Sequence, residues 1–364
     1  MPLDEDLAAW LALSLTPGLG GDAARRVLRE FGEPQRVLGA TRTELARHVP
    51  DAVAAAIKRG PAEDALSRAR AWLEDPVNRI VTLADADYPR QLLQIPDPPL
   101  LLYAKGRVEL TNRPALAVVG SRNATAQGLA NAESFARTLS DAGLVIVSGL
   151  ALGIDAAAHR GGLAGGSSSI AVVGTGLDIV YPARNRALAH DLAVRGLLIS
   201  EFPLGTPAVA SNFPRRNRLI SGLAQGCLVV EAAAASGSLI TARSAAEQGR
   251  EVFAIPGSIH SPLSKGCHTL IKQGAKLAES ANDILEELRM PAPATPEPGI
   301  PPSSAADDDA QARLLTVLGY DPCDLDTLAA RSGLDAAEIS ALLTELEIGG
   351  AVAALPGGKF QRRR

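Results

Sequence analysis

Between residues 115 and 257, short runs rich in Val, Ile and Leu alternate with stretches of helical period. The runs are ALAVVG (115–120), LVIVSG (144–149), SIAVVG (169–174), GLLISE (196–201), CLVVEA (227–232) and EVFAIPG (251–257). Each is apolar almost without a break instead of alternating. That is the pattern of strands buried on both faces, hence parallel and covered by helices. Intervening segments such as GLANAESFARTLSDAG and SLITARSAAEQG place their apolar residues at helical spacing. The alternation predicts an α/β fold over residues 79–290, a Rossmann-like doubly wound parallel sheet.

The flanks read differently. In residues 1–75, DLAAWLALSL and AARRVLREFG form two helical patterns around the turn Thr16-Pro17-Gly18-Leu19-Gly20, the layout of a helical (helix-hairpin-helix/SAM-like) domain. Such a turn either offers backbone N–H groups to a phosphate or is only a turn, and the sequence leaves both readings open. A soft boundary falls at Glu74-Asp75-Pro76, ahead of the β-like RIVTLA. A sharper one is the segment 291–310, where six prolines in twelve residues precede a Ser/Ala/Asp run, an extended linker. Residues 311–364 then show three helical patterns and a hairpin around Pro356-Gly357-Gly358, which predicts a winged-helix-like domain. Its presumed second helix carries Asp335, Glu338, Glu345 and Glu347 and no Lys or Arg. A phosphate-lined groove would repel it, so contact with protein is expected there before DNA reading.

Composition narrows the class. At 364 residues the chain exceeds one ordinary core, and no apolar run approaches the length of a membrane span. The acidic start lacks the layout of a signal peptide, and Cys227, Cys267 and Cys323 are far apart, so a cytoplasmic protein with buried thiols and no membrane partner is expected. The net charge of −4 hides an uneven distribution. Residues 79–290 carry 20 Lys and Arg against 17 Asp and Glu, whereas the flanks hold 10 against 12 and 6 against 11. The sheet domain alone is net positive, which favours a local basic surface.

In an open α/β sheet, ligands bind beyond the carboxyl ends of the strands. Every run above ends in a loop of small residues, among them Gly120-Ser121-Arg122, Gly174-Thr175-Gly176 and Ser236-Gly237-Ser238. Backbone N–H groups in such loops favour anions, so the loops together form a candidate phosphate-binding crest. No GxxxxGK[ST], GxGxxG or GxSxG is present, which excludes the common nucleotide triphosphatase, dinucleotide oxidoreductase and serine hydrolase patterns. His48, His159, His190, His260 and His268 show no metal-ligand spacing and read as structural or surface residues. Asp155, Asp178, Glu201 and Glu231 fall in the loops, where acid–base work competes with the plainer roles of capping and of pairing with Arg216 or Arg218. In NFPRRNRLISG (212–222), Arg215, Arg216 and Arg218 fan around the start of a helix, with Asn217 among them and Phe213 offering a face on which a base can stack.

These motifs carry a resemblance. AVVGSRNATAQG, VSGLALGIDAAAHRGGL, VVGTGLDIVYPARN, the long segment from ISEFPLG to AIPGSI, and KGCHTLIKQGAKL follow one another in the order and spacing of the DNA processing protein A (DprA, or Smf) family. The resemblance implies a homodimeric, non-enzymatic and cofactor-free binder of single-stranded DNA. Such a protein protects incoming strands during natural transformation and helps to load the RecA recombinase. By position it assigns DNA contact to Gly120, Ser121, Arg122, Gly174, Thr175, Phe213, Arg215, Arg216, Asn217, Arg218, Ser236, Gly237, Ser238 and Lys265. Ala210 stands where some members carry a lysine, and Leu152 where many carry an arginine. The alternative is a nucleotide-cleaving phosphoribohydrolase on the same sheet edge. Those enzymes resemble a PGGxGTxxE pattern, and EAAAASGSLITA lacks its paired glycines and its glutamate.

Overall fold

In the computed structural model, residues 4–290 and 307–363 are described. Six N-terminal helices come first: α1 (Glu5–Ser14), α2 (Gly21–Phe31), α3 (Pro34–Gly39), α4 (Arg42–Leu45), α5 (Asp51–Arg59) and α6 (Glu63–Trp72). Their apolar faces meet around Trp10, Leu11, Leu13, Val27 and Ile57, and this core closes on Leu101, Tyr103 and Leu204 of the sheet domain. The helical unit is therefore seated on the sheet through shared apolar burial.

Nine strands follow: β1 (Asn78–Thr82), β2 (Leu101–Gly106), β3 (Ala115–Val119), β4 (Val145–Ser148), β5 (Ser169–Val172), β6 (Leu197–Ser200), β7 (Gly226–Val229), β8 (Glu251–Ala254) and β9 (Lys276–Leu277). Their order is β1-β2-β6-β5-β4-β3-β7-β8-β9. From β6 to β9 all neighbours pair in parallel, while β2 pairs antiparallel with both β6 and β1. The six predicted runs are all strands. They stop one to three residues short at their carboxyl ends, because the terminal small residues leave the ladder to form loops. β2 was not expected as a strand, since only its long-range pairing, Tyr103 opposite Ser200, makes LLYAKG one.

Both faces are covered. Side chains alternate along each strand, so Leu116 and Val118 lie with α7 (Ala126–Asp141), α8 (Ile154–Ala164) and α13 (Ala281–Glu287). Ala117 and Val119 lie on the other face with α10 (Asn212–Leu223), α11 (Ser238–Glu247) and α12 (Lys265–Lys272). The helix α9 (Arg186–Arg195) packs over Ala171, Val173 and Leu198. Each fully buried Val or Leu contributes about 1.5–3 kcal/mol, so reading the runs as doubly buried strands amounts to reading where the stabilisation lies. Strands β4, β5 and β6 continue to one side of β3, and β7, β8 and β9 to the other. The connection reverses between β3 and β7, which opens a crevice at their carboxyl ends.

The remaining residues form α14 (Asp307–Leu318), β10 (Cys323–Asp324), α15 (Leu325–Ser332), α16 (Ala336–Ile348), β11 (Val352–Leu355) and β12 (Lys359–Arg362), a winged helix around Leu314, Leu328, Ile339, Leu343 and Val352. Asp335 caps α16 in a reciprocal box with Glu338, which gives two of its acidic residues a structural role. The expected linker reached residue 310, whereas α14 is already helical at Asp307; residues 291–306 lie outside the described residues. No helix among the described residues is long and apolar enough to cross a membrane.

Candidate nucleic-acid interface

A cleft of about 750 Å³ occupies the β3/β7 crevice. Its walls come from the loops after β3, β4 and β7 and from the first turns of α10. Gly120, Ser121 and Arg122 form one wall, Ser236, Gly237 and Ser238 a second, and Phe213, Arg216 and Asn217 a third. Segments more than a hundred residues apart thus converge at one switch point, where an open α/β sheet takes its ligand.

The arginines divide sharply in role. Arg122 is exposed, and its guanidinium lies 5.8 Å from the centroid of the Phe213 ring. Among the described residues it has no ion pair and no side-chain hydrogen bond, so it does not brace Asp155. Arg216 is buried and donates to the Gly149 carbonyl at 2.6 Å and to the Val172 carbonyl. Burial draws its pKa down to about 10 against the opposing effect of Asp155, so it stays charged at neutral pH. Arg218 is spent on Glu201 at 2.5 Å and on Asp97 at 3.5 Å. Arg215 is exposed, sits over the Phe202 ring at 5.2 Å and is 3.8 Å from Glu201. Of the three arginines on α10, Arg215 is the one exposed to solvent, whereas Arg216 lines the cleft and Arg215 and Arg218 do not.

Glu231 does not take its expected pairing, and Asp155, read as a helix cap, is held by backbone of the loop after β4. Glu231 meets neither Arg216 nor Arg218; it accepts from the N–H of Thr125 at 2.9 Å and from its hydroxyl at 2.6 Å, at the start of α7. A carboxylate already fills that helix N-terminus, which removes it from the phosphate-binding crest. Asp155 is buried and accepts from the N–H groups of Gly149 and Ala151 at 3.1 and 3.3 Å. Desolvation raises its pKa, opposed by Arg216 and by those two bonds. The N-terminus of α11, by contrast, has no side-chain cap, and the Ser236 and Ser238 hydroxyls lie 2.7 Å apart beside it.

The cleft floor is locked by backbone contacts. Gly153 has φ +76°, and a Cβ there would lie 2.7 Å from the Arg122 carbonyl oxygen, so only glycine lets the loop after β4 close on the loop after β3. Leu150 holds φ +58°, a conformation unusual outside glycine. It is kept there by its N–H donating to His159 Nε2 at 3.3 Å and by Asn185 donating to its carbonyl at 2.9 Å. With Nε2 accepting, His159 donates from Nδ1 to Ser169 Oγ at 2.7 Å, and that hydroxyl donates to Ile146. Burial drives the His159 pKa down to about 3, so the ring is neutral and structural, as its lack of metal spacing implied.

Several expected contacts lie elsewhere. Thr175 is buried, its hydroxyl donating to the Ile179 carbonyl at 3.0 Å, so it presents nothing to a ligand. Gly174 works by being small: a Cβ would meet the Phe213 ring at 3.0 Å. Lys265 is outside the cleft and donates to the Ile259 carbonyl. In the N-terminal hairpin, a Cβ on Gly21 would sit 2.7 Å from Asp97 Oδ1, so a carboxylate of the sheet domain already stands at the start of α2. Conversely, Tyr181 and Asn123 line the cleft without having been singled out. Tyr181 is 48% exposed, with its ring 5.8 Å from that of Phe213, and the pair makes a two-ring surface. The available signal was scarcity: aromatic residues are 3% of the chain, and of these two Tyr181 falls in a loop of the ligand edge and Phe213 in the first turn of α10.

A parallel sheet with guanidinium and aromatic groups at its switch point, followed by a winged helix, defines a Rossmann-like protein of the DNA-processing class. The chain belongs to the DNA processing protein A family: residues 79–289 match the family of DNA recombination-mediator protein A, and residues 290–358 match the DprA winged helix domain. It is 45% identical over 300 residues to protein Smf of Escherichia coli K12, covering 80% of each chain. It is 48% identical over 207 residues to DNA processing protein DprA of Streptococcus pneumoniae, covering 57% of this chain and 73% of that one. The crystal structure of the S. pneumoniae protein superposes with a TM-score of 0.68 at 38% identity, over 79% of this chain and 99% of the other. DNA processing protein A from Helicobacter pylori, which has a single-stranded DNA binding mode of its own, superposes with a TM-score of 0.53 at 29% identity, over 58% and 96%.

Proposed function

We propose that this protein binds single-stranded DNA along the β3/β7 crevice, and that as a cytoplasmic homodimer without catalytic activity it protects incoming strands and loads RecA during natural transformation. The observation that carries the DNA reading is Arg122, an exposed guanidinium with no ion pair among the described residues, held over an aromatic face at the ligand edge. A guanidinium grips a phosphate bidentately, and an unstacked base can lie on Phe213 and Tyr181. A duplex keeps its bases stacked inside and offers those rings nothing, so single strands are favoured. The single-stranded DNA binding of the H. pylori relative supports the same reading. RecA loading and the transformation role rest on the family likeness. The non-enzymatic reading is supported by the bonds of the buried acid–base groups: Asp155 and His159 are both engaged with backbone and neighbouring hydroxyls.

Dimerisation is supported by the sheet edge at β9, where Leu277 is 45% exposed on a strand paired on one side only. Gel-shifts on single- and double-stranded oligonucleotides across a salt series test the DNA reading. Tighter binding of the single strand with little sequence preference is expected, and equal affinity for blunt duplex would refute it. Light scattering tests the dimer, and a monomeric mass at micromolar concentration would remove it.

A further inference from the structure

We infer that Arg25 and Asp97, which lie outside the cleft, are positioning residues that set the strength of DNA binding by controlling how tightly Glu201 holds Arg215. The inference rests on the reading of the cleft as a DNA site and goes beyond it. It assigns a role in binding to the N-terminal helical unit.

Five charged side chains from four separate segments form a line. Arg25 of α2 meets Asp97 at 2.6 Å, Asp97 meets Arg218 at 3.5 Å, Arg218 meets Glu201 at 2.5 Å, and Glu201 meets Arg215 at 3.8 Å. The inner members are largely withdrawn from solvent: the side chains of Arg25, Arg218 and Glu201 are 10%, 18% and 7% exposed. Arg215, next in the chain to the cleft-lining Pro214 and Arg216, is 63% exposed. Three guanidinium groups face two carboxylates, so the line carries one surplus positive charge, and the member in solvent is the one that can present it. Asp22, 3.9 Å from Arg25, is matched by its own partner Arg26 and does not alter the balance.

The far end is mounted rigidly. Asp97 lies between Pro96 and Pro98, whose rings fix φ and restrict the residues before them. Arg25 also donates to the Pro98 carbonyl at 2.9 Å. Within such a line each charge is shared between its neighbours. Glu201 is shared unequally, bound closely to Arg218 and loosely to Arg215. Its hold on Arg215 therefore depends on how far Arg218 is already satisfied by Asp97, which in turn depends on Arg25.

This alternation gives opposite signs for neighbouring substitutions. Arg25→Ala turns Asp97 fully toward Arg218, frees Glu201 to hold Arg215 and brings the charge of the line to zero. Asp97→Asn, nearly isosteric, leaves Arg218 to Glu201 alone, releases Arg215 and raises the charge by one. A simple loss of structural support would weaken binding in both.

The test is fluorescence anisotropy of a labelled oligo-dT strand with the full chain, measured across a salt series alongside thermal melts, for wild type, Arg25→Ala, Arg25→Lys, Asp97→Asn and Arg122→Ala. Arg25→Ala is expected to bind about two- to fivefold more weakly with a shallower salt slope, the scale of one partly screened charge. Arg25→Lys restores the slope, and Asp97→Asn binds about two- to fivefold more tightly with a steeper slope. Equal directions for Arg25→Ala and Asp97→Asn, or no change in either while Arg122→Ala still weakens binding, overturns the inference and leaves the DNA site standing. Wild type that fails to bind the strand removes the DNA reading itself. Should Arg25→Ala fail to fold, Asp97→Asn decides alone, and weakened or unchanged binding there counts against the coupling.

Discussion

Replacing Arg122 with alanine separates a ligand contact from a structural one. Among the described residues the guanidinium, at an exposed position, meets one partner, the Phe213 ring at 5.8 Å. A cation–π contact of that kind contributes about 0.5–1 kcal/mol. In a domain of this size the loss lowers the melting temperature by about 1–4 °C. The loss to binding is larger: removing a phosphate-gripping arginine costs about 1–3 kcal/mol, a five- to 150-fold rise in Kd. For a single strand the salt slope falls by about 0.7 unit per lost phosphate contact. Arg122→Lys keeps the point charge and loses the planar fork, so it should recover the slope and only part of the affinity. Anisotropy titrations of all three proteins at four or more salt concentrations, with melts of the same samples, supply every quantity needed. A fully folded Arg122→Ala protein with wild-type affinity would falsify the reading of the crevice as a DNA track. A large drop in melting temperature with normal binding by the folded fraction would make Arg122 a brace.

Other substitutions probe the remaining parts. Phe213→Leu keeps an apolar side chain but removes the stacking face, so affinity should fall by about 1–3 kcal/mol with the salt slope unchanged, and a shifted slope would contradict the stacking role. Arg216→Ala strips the Gly149 and Val172 carbonyls of their donor and leaves buried Asp155 without its neighbouring cation. Urea unfolding should show a loss of about 3–5 kcal/mol, and a loss below about 1 kcal/mol would show that the group is not a structural keystone. His159, with its pKa lowered to about 3, binds protons more weakly folded than unfolded. Its contribution is therefore full above the unfolded value of about 6.5 and falls away at lower pH, until the folded ring also protonates near 3. The stability advantage of wild type over His159→Gln should shrink by about 1.4 kcal/mol per pH unit below 6.5, and a gap independent of pH between 7 and 5 would refute a neutral buried ring.

Much of the site is legible in the sequence. The strands ending in Val119, Ser148 and Val229 announced themselves as continuous apolar runs, and the placement of ligands beyond the carboxyl ends of an open α/β sheet then pointed to the loops that wall the cleft. The small residues after those strands read as places where backbone approaches an anion, whereas in the structure Gly153, which that reading did not single out, serves close approach of chain to chain at the Ser121–Arg122 backbone. Role was harder to read than place. Arg215, Arg216 and Arg218 are the same residue type within four positions, yet one faces solvent, one is buried beneath the cleft and one is consumed by Glu201.

What the sequence determined by itself is the layered α/β architecture, the winged helix behind a proline-rich stretch, and the edge of the sheet on which chemistry gathers. These follow from local patterns, since periodicity records burial and glycine and proline record backbone geometry. Only the tertiary structure decided that Glu231 caps α7, that Thr175 turns inward, that Tyr181 joins Phe213, and that β2 closes the sheet against β6. Each depends on which distant group supplies the partner. Charge and hydrogen-bonding capacity are written in residue type, but whether they are spent inside the protein or left for a ligand is set by neighbours that the chain brings together only on folding.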